Sequence, residues 1–127
     1  METIKISEVK QVIVIRKDLK MRRGKEIAQG SHASIKWLAE KAVKGSKFTV
    51  DEKAWLEGSF TKICLQVNSE EELLDVYQRA LAAGLTAKLI TDAGRTEFDG
   101  VPTRTCIAIG PNKAQEIDKI TGNLKLY

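Results

Sequence analysis

Val9 to Ile15 reads VKQVIVI, a run too consistently apolar for a ribbon with one wet face. A stretch this rich in β-branched residues forms a strand buried on both sides, so the remaining chain must supply two covering layers. Three more strand-like segments follow, Lys62–Val67 (KICLQV), Ala87–Thr91 (AKLIT) and Thr103–Ile109 (TRTCIAI). Between the first two, Gly24 opens a long helical segment. Its residues Ile27, Ala28, Ser31, Ile35, Leu38, Ala39 and Ala42 recur at spacings that place them on one broad face. Ala28 and Ser31 are small enough for close approach to a sheet, and Gly45 is expected to end the helix in a left-handed cap.

Thr49 and Glu52 are expected to cap a short helix through Leu56, broken at Gly58. Ser69 and Glu72 form a capping-box signature ahead of Leu73, Leu74, Val76, Tyr77, Ala80 and Leu81, with Gly84 at the end. Pro111 is expected to begin a last helical segment with Ile117 and Ile120 inward and Gly122 as its stop. Connections that carry helices favour parallel crossovers, whereas the short link between the third and fourth strands favours an antiparallel return. The expected fold is α/β, a three-layer α/β/α sandwich around a mixed four-stranded sheet. With 127 residues and 43% hydrophobic content, residues 1–127 are expected to build one domain rather than two.

Cys64 and Cys106 each lie in apolar runs and read as buried free thiols, which fits a reducing compartment. No stretch approaches the roughly 18 apolar residues of a membrane span, and no secretory signal pattern is present. The net charge of +4 says little by itself, but its distribution is uneven. Arg16, Lys17, Lys20, Arg22, Arg23 and Lys25 crowd one turn against the single acid Asp18. That concentration suits a polyanion and its phosphates, a merely solvated turn being the plainer alternative.

Lys25 stands at the opening of the first helix, where backbone N–H groups already favour an anion. Gly24 permits close backbone approach, although Arg22-Arg23-Gly24-Lys25 lacks the glycine spacing of a P-loop. Asp92 follows the third strand and can take a proton from water or hold the lysine; a local turn cap is the alternative. Beside it, Arg95 suits a phosphate and Thr96 a water or carbonyl oxygen. Thr105 either faces the same cleft or packs between strands. His32, near Gln29 and Lys36 on the helix, either joins a network around Lys25 or is structural. One histidine and two separated cysteines make no zinc site, and no serine sits in a nucleophile elbow. Trp37 and Trp55 read as packing anchors rather than base-stacking platforms.

Several motifs in order resemble the archaeal- and eukaryotic-type peptidyl-tRNA hydrolase family, the second of two unrelated classes. They are Asp18-Leu19-Lys20-Met21, Gly24-Lys25, Ala28-Gln29 and His32-Ala33, then Ser69-Glu70-Glu71-Glu72-Leu73 and Ala83-Gly84-Leu85. Asp92-Ala93-Gly94-Arg95-Thr96, Ala108-Ile109-Gly110-Pro111 and Thr121-Gly122-Asn123-Leu124-Lys125-Leu126 complete the set. The resemblance spans roughly Val9 to Tyr127 and implies cleavage of the ester between a peptide and the tRNA ribose. It implies catalytic roles for Lys25, Asp92, Thr96 and Thr105, with Lys20, His32 and Arg95 in binding or support; the charge of the basic turn itself adds Arg22 and Arg23 as expected phosphate contacts.

The resemblance further implies no organic cofactor, no metal, a peptidyl-tRNA partner, a homodimer and a cytoplasmic location. The rival expectation is an inactive RNA- or protein-binding module on the same scaffold. Two departures stand out. Arg22 replaces the first glycine of the usual glycine-lysine-glycine-lysine turn, and Glu97 stands where glutamine is usual. The segment Phe98-Asp99-Gly100-Val101-Pro102 is also longer by one residue than the usual connection.

Overall fold

A computed structural model describes residues 8–95 and 97–127 of the chain. Strand β1 (Val9–Arg16) leads through a single 3-10 turn (Lys17–Leu19) into helix α1 (Arg23–Lys44) and the short α2 (Val50–Glu57). Then come β2 (Lys62–Val67), α3 (Glu70–Ala82), β3 (Ala87–Asp92), β4 (Thr103–Lys113) and α4 (Ala114–Thr121). The sheet order is β2-β1-β4-β3, with β1 parallel to β2 and β4 antiparallel to both β1 and β3. This is the expected mixed sheet, covered by helices on both sides.

One face has an apolar centre. Val12, Val14, Ile107 and Ile109 of the two central strands pack with Leu73, Val76 and Ala80 of α3 and Ile117 of α4. The helix start follows its sequence signal: Ser69 Oγ accepts from the Glu72 N–H at 3.0 Å. Glu72 in turn accepts from the N–H of Asn68, one residue earlier than a standard box, at 2.8 Å. Thr49 and Glu52 form the complete reciprocal box at α2.

The opposite face joins Ile13, Ile15, Ile90, Cys106 and Ala108 to Ala33 of α1 and to Met21. Here the sequence expectation needs correction. The side of α1 turned to the sheet carries Gln29, Gly30, Ala33 and Trp37, while Ile27 and Ile35 are 64% and 55% exposed. Ala28, Ser31, Ala39 and Ala42 also lie on the outer side, and Leu38 is half-buried. Close approach comes from Gly30 and Ala33: a Cβ at Gly30 would meet Ile13 and Ile15 at 3.9 Å. Gln11 of β1 fixes the helix further, donating to Ser34 O at 2.9 Å and accepting from Ser34 Oγ at 2.6 Å. A buried amide satisfied in this way favours one helix orientation that an apolar contact alone would not define. Gly45 does end α1, at φ +68°.

Pro111 does not begin a helix. It is buried within β4, which runs on to Lys113 because Val9 and Lys10 at the start of β1 pair with Lys113 and Asn112. Ile117 is buried in α4 as expected. Cys106 is a buried thiol, but Cys64 is exposed, since it lies on edge strand β2. The segment after α4 covers that edge through a Leu65–Leu126 bridge and a 3.0 Å bond from Tyr127 N–H to Cys64 O. Trp37 and Trp55 are packing anchors, in edge-to-face contact at 6.0 Å.

Candidate active site

Three pieces of backbone converge at the end of the sheet where β1 runs into α1. The first turn of α1 carries Lys25, and one turn later Gln29 points to the same side. Asp92 is the last residue of β3 and shares the face of Ile90, two positions earlier, which packs under α1. Thr105 arrives from β4 by an irregularity. Ile90 pairs with Cys106 but Thr91 pairs with Arg104, so β4 holds one extra residue, Thr105, at this point. Strict alternation would send Thr105 and Cys106 to opposite faces; the bulge lets both reach Gln29.

The result is a connected polar chain. Lys25 Nζ donates to Asp92 Oδ1 at 2.8 Å, and Gln29 Nε2 donates to the same oxygen at 3.2 Å. The second carboxylate oxygen, Oδ2, accepts from the Gly94 N–H at 2.8 Å. Behind Gln29, Thr105 Oγ1 donates to Gln29 Oε1 at 2.5 Å, and Cys106 Sγ donates to Gln29 O at 3.3 Å. Gln29 and Thr105 are 2% and 0% exposed, so their polar groups depend on each other for satisfaction. Lys25 and Asp92 form the outer end, each with a side chain 13% exposed.

Electrostatics follows from these contacts. The hydrogen bond from Lys25 is the first cause that holds the Asp92 carboxyl below its usual range; the Gly94 N–H, the lysine charge and Gln29 add to it against a desolvation that opposes it. Asp92 is therefore a carboxylate at neutral pH. The Cys106 thiol is pushed up to about 11, chiefly by burial, and stays protonated. Phe98 places its ring 5.8 Å from Lys25 Nζ, closing one side of the ammonium.

Gly94 has the tightest backbone requirement in the site. Its φ is +84°, and a Cβ there would fall 2.3 Å from Val101 O, so the turn after Asp92 excludes every other residue.

Of the residues picked out in the sequence, the structure brings Lys25, Asp92 and Thr105 into one network. Thr96 lies outside the described residues. Arg22 is exposed but already ion-paired: its Nε donates to Glu97 Oε1 at 2.8 Å and its backbone N–H to Glu97 Oε2 at 3.4 Å. Lys20, Arg23 and Arg95 are exposed and form no ion pair among the described residues. His32 is exposed on α1 and outside the Lys25–Asp92–Gln29 network. Gln29 was placed by sequence only as part of a motif and as a neighbour of His32. Its signal was there: a glutamine one helical turn after Lys25, on the side of the helix that turned out to be buried.

No group of three His, Cys, Asp or Glu side chains suited to a metal occurs among the described residues. A groove of about 610 Å³ lies on the other flank of α1, lined by Ile27, Ile35, Leu38, Trp55 and Phe60 among others, and includes neither Lys25 nor Asp92. It is mainly apolar, with Glu26 and Lys62 in its lining but no ammonium–carboxylate pair like Lys25–Asp92, so the charged cleft is the reactive centre to consider.

Comparison with known proteins covers nearly the whole chain. The family described as "Peptidyl-tRNA hydrolase PTH2" matches residues 9–127. A peptidyl-tRNA hydrolase of Methanocaldococcus jannaschii is 47% identical over 118 residues, covering 93% of this chain and 99% of the relative. Another, from Nanoarchaeum equitans, is 45% identical, with 94% and 99% covered. A third, from Methanothermobacter thermautotrophicus, is 47% identical over 122 residues. Full-length similarity at this level, with the strand order and polar cleft described above, leaves one assignment: the chain belongs to the class 2, archaeal-type peptidyl-tRNA hydrolase family.

Proposed function

We propose that Lys25 and Asp92 are the reactive pair with which this peptidyl-tRNA hydrolase cleaves the ester between peptide and tRNA ribose, recycling the tRNA. The observation that carries the assignment is the 2.8 Å contact between an ammonium and a carboxylate 67 positions apart, braced by Gln29 and Gly94. Hydrolysis adds water across the ester: the carbonyl carbon gains a C–O bond to water, and the bond to the ribose oxygen breaks. Negative charge gathers on the former carbonyl oxygen in between. A fixed ammonium in a partly dehydrated cleft stabilises that charge, which is where preorganised electrostatics contributes most.

Asp92, with its lowered pKa, is a weak base in the ground state. Its carboxylate orients the attacking water and holds Lys25, and the proton leaves water as the new bond forms, ending on the ribose oxygen. Thr105 acts through Gln29, keeping the amide oriented so that its N–H₂ group faces Asp92. Thr96 is assigned to positioning water by family resemblance. Lys20, Arg22, Arg23 and Arg95 would hold tRNA phosphates without reading bases, and His32 would lend support at the margin.

Residues 1–127 would act as one domain, cytoplasmic and homodimeric. The outward Ile27 and Ile35 of α1 support the pairing, because an isolated protomer leaves them in water. No helix among the described residues is long and apolar enough to cross a membrane.

Purified Lys25→Ala and Asp92→Asn variants test the assignment. Each is expected to lose on the order of 10²–10³-fold in ester cleavage, the scale of removing a charge-stabilising donor, while retaining fold and tRNA binding. Cleavage within twofold of wild type by either variant would remove that residue from the mechanism.

A further inference from the structure

Arg22 and Glu97 occupy the place where the basic turn meets the active-site loop, and their geometry is that of an anion already bound. The guanidinium takes one carboxylate oxygen at 2.8 Å, and the Arg22 backbone N–H takes the other at 3.4 Å. Arg22 is also the N-cap of α1 and has no side-chain cap of its own. Glu97 therefore sits at the positive end of the helix, on the donors that a phosphate oxygen would use. The two partners differ in access. The Arg22 side chain is 80% exposed, against 13% for Glu97, so an incoming polyanion reaches the guanidinium without unpacking anything.

We propose that Glu97 is an internal competitor for the phosphate site at Arg22, so that capture of substrate exchanges this carboxylate for a tRNA phosphate and Glu97 sets the affinity of that step. The inference rests on the reading that the basic turn receives tRNA phosphates. Glu97 is ionised at neutral pH, since the hydrogen bonds and charge of Arg22, followed by the charge of Lys25, hold its carboxyl below the usual range. Exchange on this site is favourable because a solvent-exposed ion pair is weak and screened by salt, whereas phosphate binding releases condensed counterions. In the free enzyme the pair ties Glu97 to the start of α1. It also cancels one cation of the turn until a ligand of sufficient charge density arrives.

Glu97→Gln tests this with an almost isosteric change. It keeps an acceptor for the Arg22 N–H but removes the charge. In a salt series of tRNA binding, the variant should bind more tightly than wild type at low salt. Its log K against log salt should steepen, because the competing pair that salt would have weakened is gone, by at most about 0.9, the equivalent of one phosphate, or at most about 3.5-fold more loss across a fourfold rise in salt. KM should fall while kcat stays within twofold. Arg22→Ala should weaken tRNA binding in wild type, but by less than in the Glu97→Gln background, where it should abolish the gain.

An unchanged or shallower slope in Glu97→Gln, or a gain that survives Arg22→Ala, would overturn the proposal. Arg23→Ala, away from the pair, separates this from failure of the underlying reading. If it lowers the slope while Glu97→Gln does not raise it, only the competitor role falls; if Arg23→Ala leaves the slope unchanged, the basic turn itself is not a phosphate surface.

Discussion

The two faces of the sheet are built from the same strands and do opposite things. Against α3 and α4, Val12, Val14, Ile107 and Ile109 pack in a cluster of apolar side chains. Against α1, the same strands present Gln11, Thr105 and Cys106, and the helix answers with Gln29 and Ser34. The first face is held by area removed from water, which is non-directional and tolerant of small shifts. The second is held partly by hydrogen bonds that are satisfied in one geometry only, and that geometry places Lys25 on Asp92. Stability and orientation are thus divided between the faces. Substitutions on each should fail in different ways.

The largest effect on stability belongs to the apolar face. Leu73 is fully buried in it, and Leu73→Ala should cost about 2–5 kcal/mol through lost transfer energy and the cavity left behind. Urea unfolding measures that cost. The cleavage rate per folded molecule should stay near wild type, because Leu73 lies across the sheet from the Lys25–Asp92 pair. A large fall in kcat in the folded fraction would break the division between the faces.

The polar face should show the reverse balance. Gln29→Leu keeps the volume but removes the donor to Asp92 and the acceptor for Thr105. Leaving one or two buried groups unsatisfied costs about 1–3 kcal/mol. The sharper consequence is a loss of order tenfold to 10²-fold in kcat with KM little changed, because a carboxylate held by fewer bonds orients water and lysine less well. Gln29→Glu separates positioning from packing: it can still accept from Thr105 but sets a like charge against Asp92. Its activity should fall at least as far as that of Gln29→Leu. Full activity in both variants would reduce Gln29 to a packing residue.

This division also explains what could be read in the sequence. Hydrophobic periodicity reports burial against an apolar partner, and α3 and α4 satisfy that condition: Leu73, Val76, Ala80 and Ile117 all face the core as their spacing indicates. Helix α1 breaks the rule. Its inward face carries Gln29, Gly30 and Ala33, so apolar spacing selected Ile27 and Ile35 and turned the helix the wrong way round. The error falls where buried polar groups serve a site, which is where local pattern and final structure are most often in conflict.

The position of Thr105 is equally hidden, since the bulge is a property of pairing with β3 and leaves no mark in TRTCIAI. Pro111 misled for a related reason: as a helix-opening residue it fits N1, yet pairing with the start of β1 carries the strand through it. Lys25 and Asp92 were legible because charged residues at a helix start and a strand end point to function whichever way the helix turns.

The smallest expected effect is a dependence of stability on pH that the apolar face cannot produce. Asp92 has a depressed carboxyl pKa in the folded protein, so its contribution is present above the ordinary carboxylate value of about 3.9 and is lost as pH falls through the lower folded value. Cys106 works in the other direction. Its thiol is raised from an ordinary value of 9.0 to about 11. Between those values the folded protein binds more protons than the unfolded one, so stability is complete below 9.0 and declines as pH rises towards about 11. Cys64 is raised as well, by partial burial, and adds a lesser slope of the same sign. Urea midpoints of wild type and Cys106→Ala from pH 7.5 to 10 isolate the buried thiol. The variant starts from a lower midpoint because of its cavity, so the slopes and not the absolute values carry the comparison. Wild type should lose stability more steeply than the variant over this range. Parallel slopes would mean that Cys106 is not held protonated by the packing of α1 on β4, and that this face is looser than its hydrogen bonds imply.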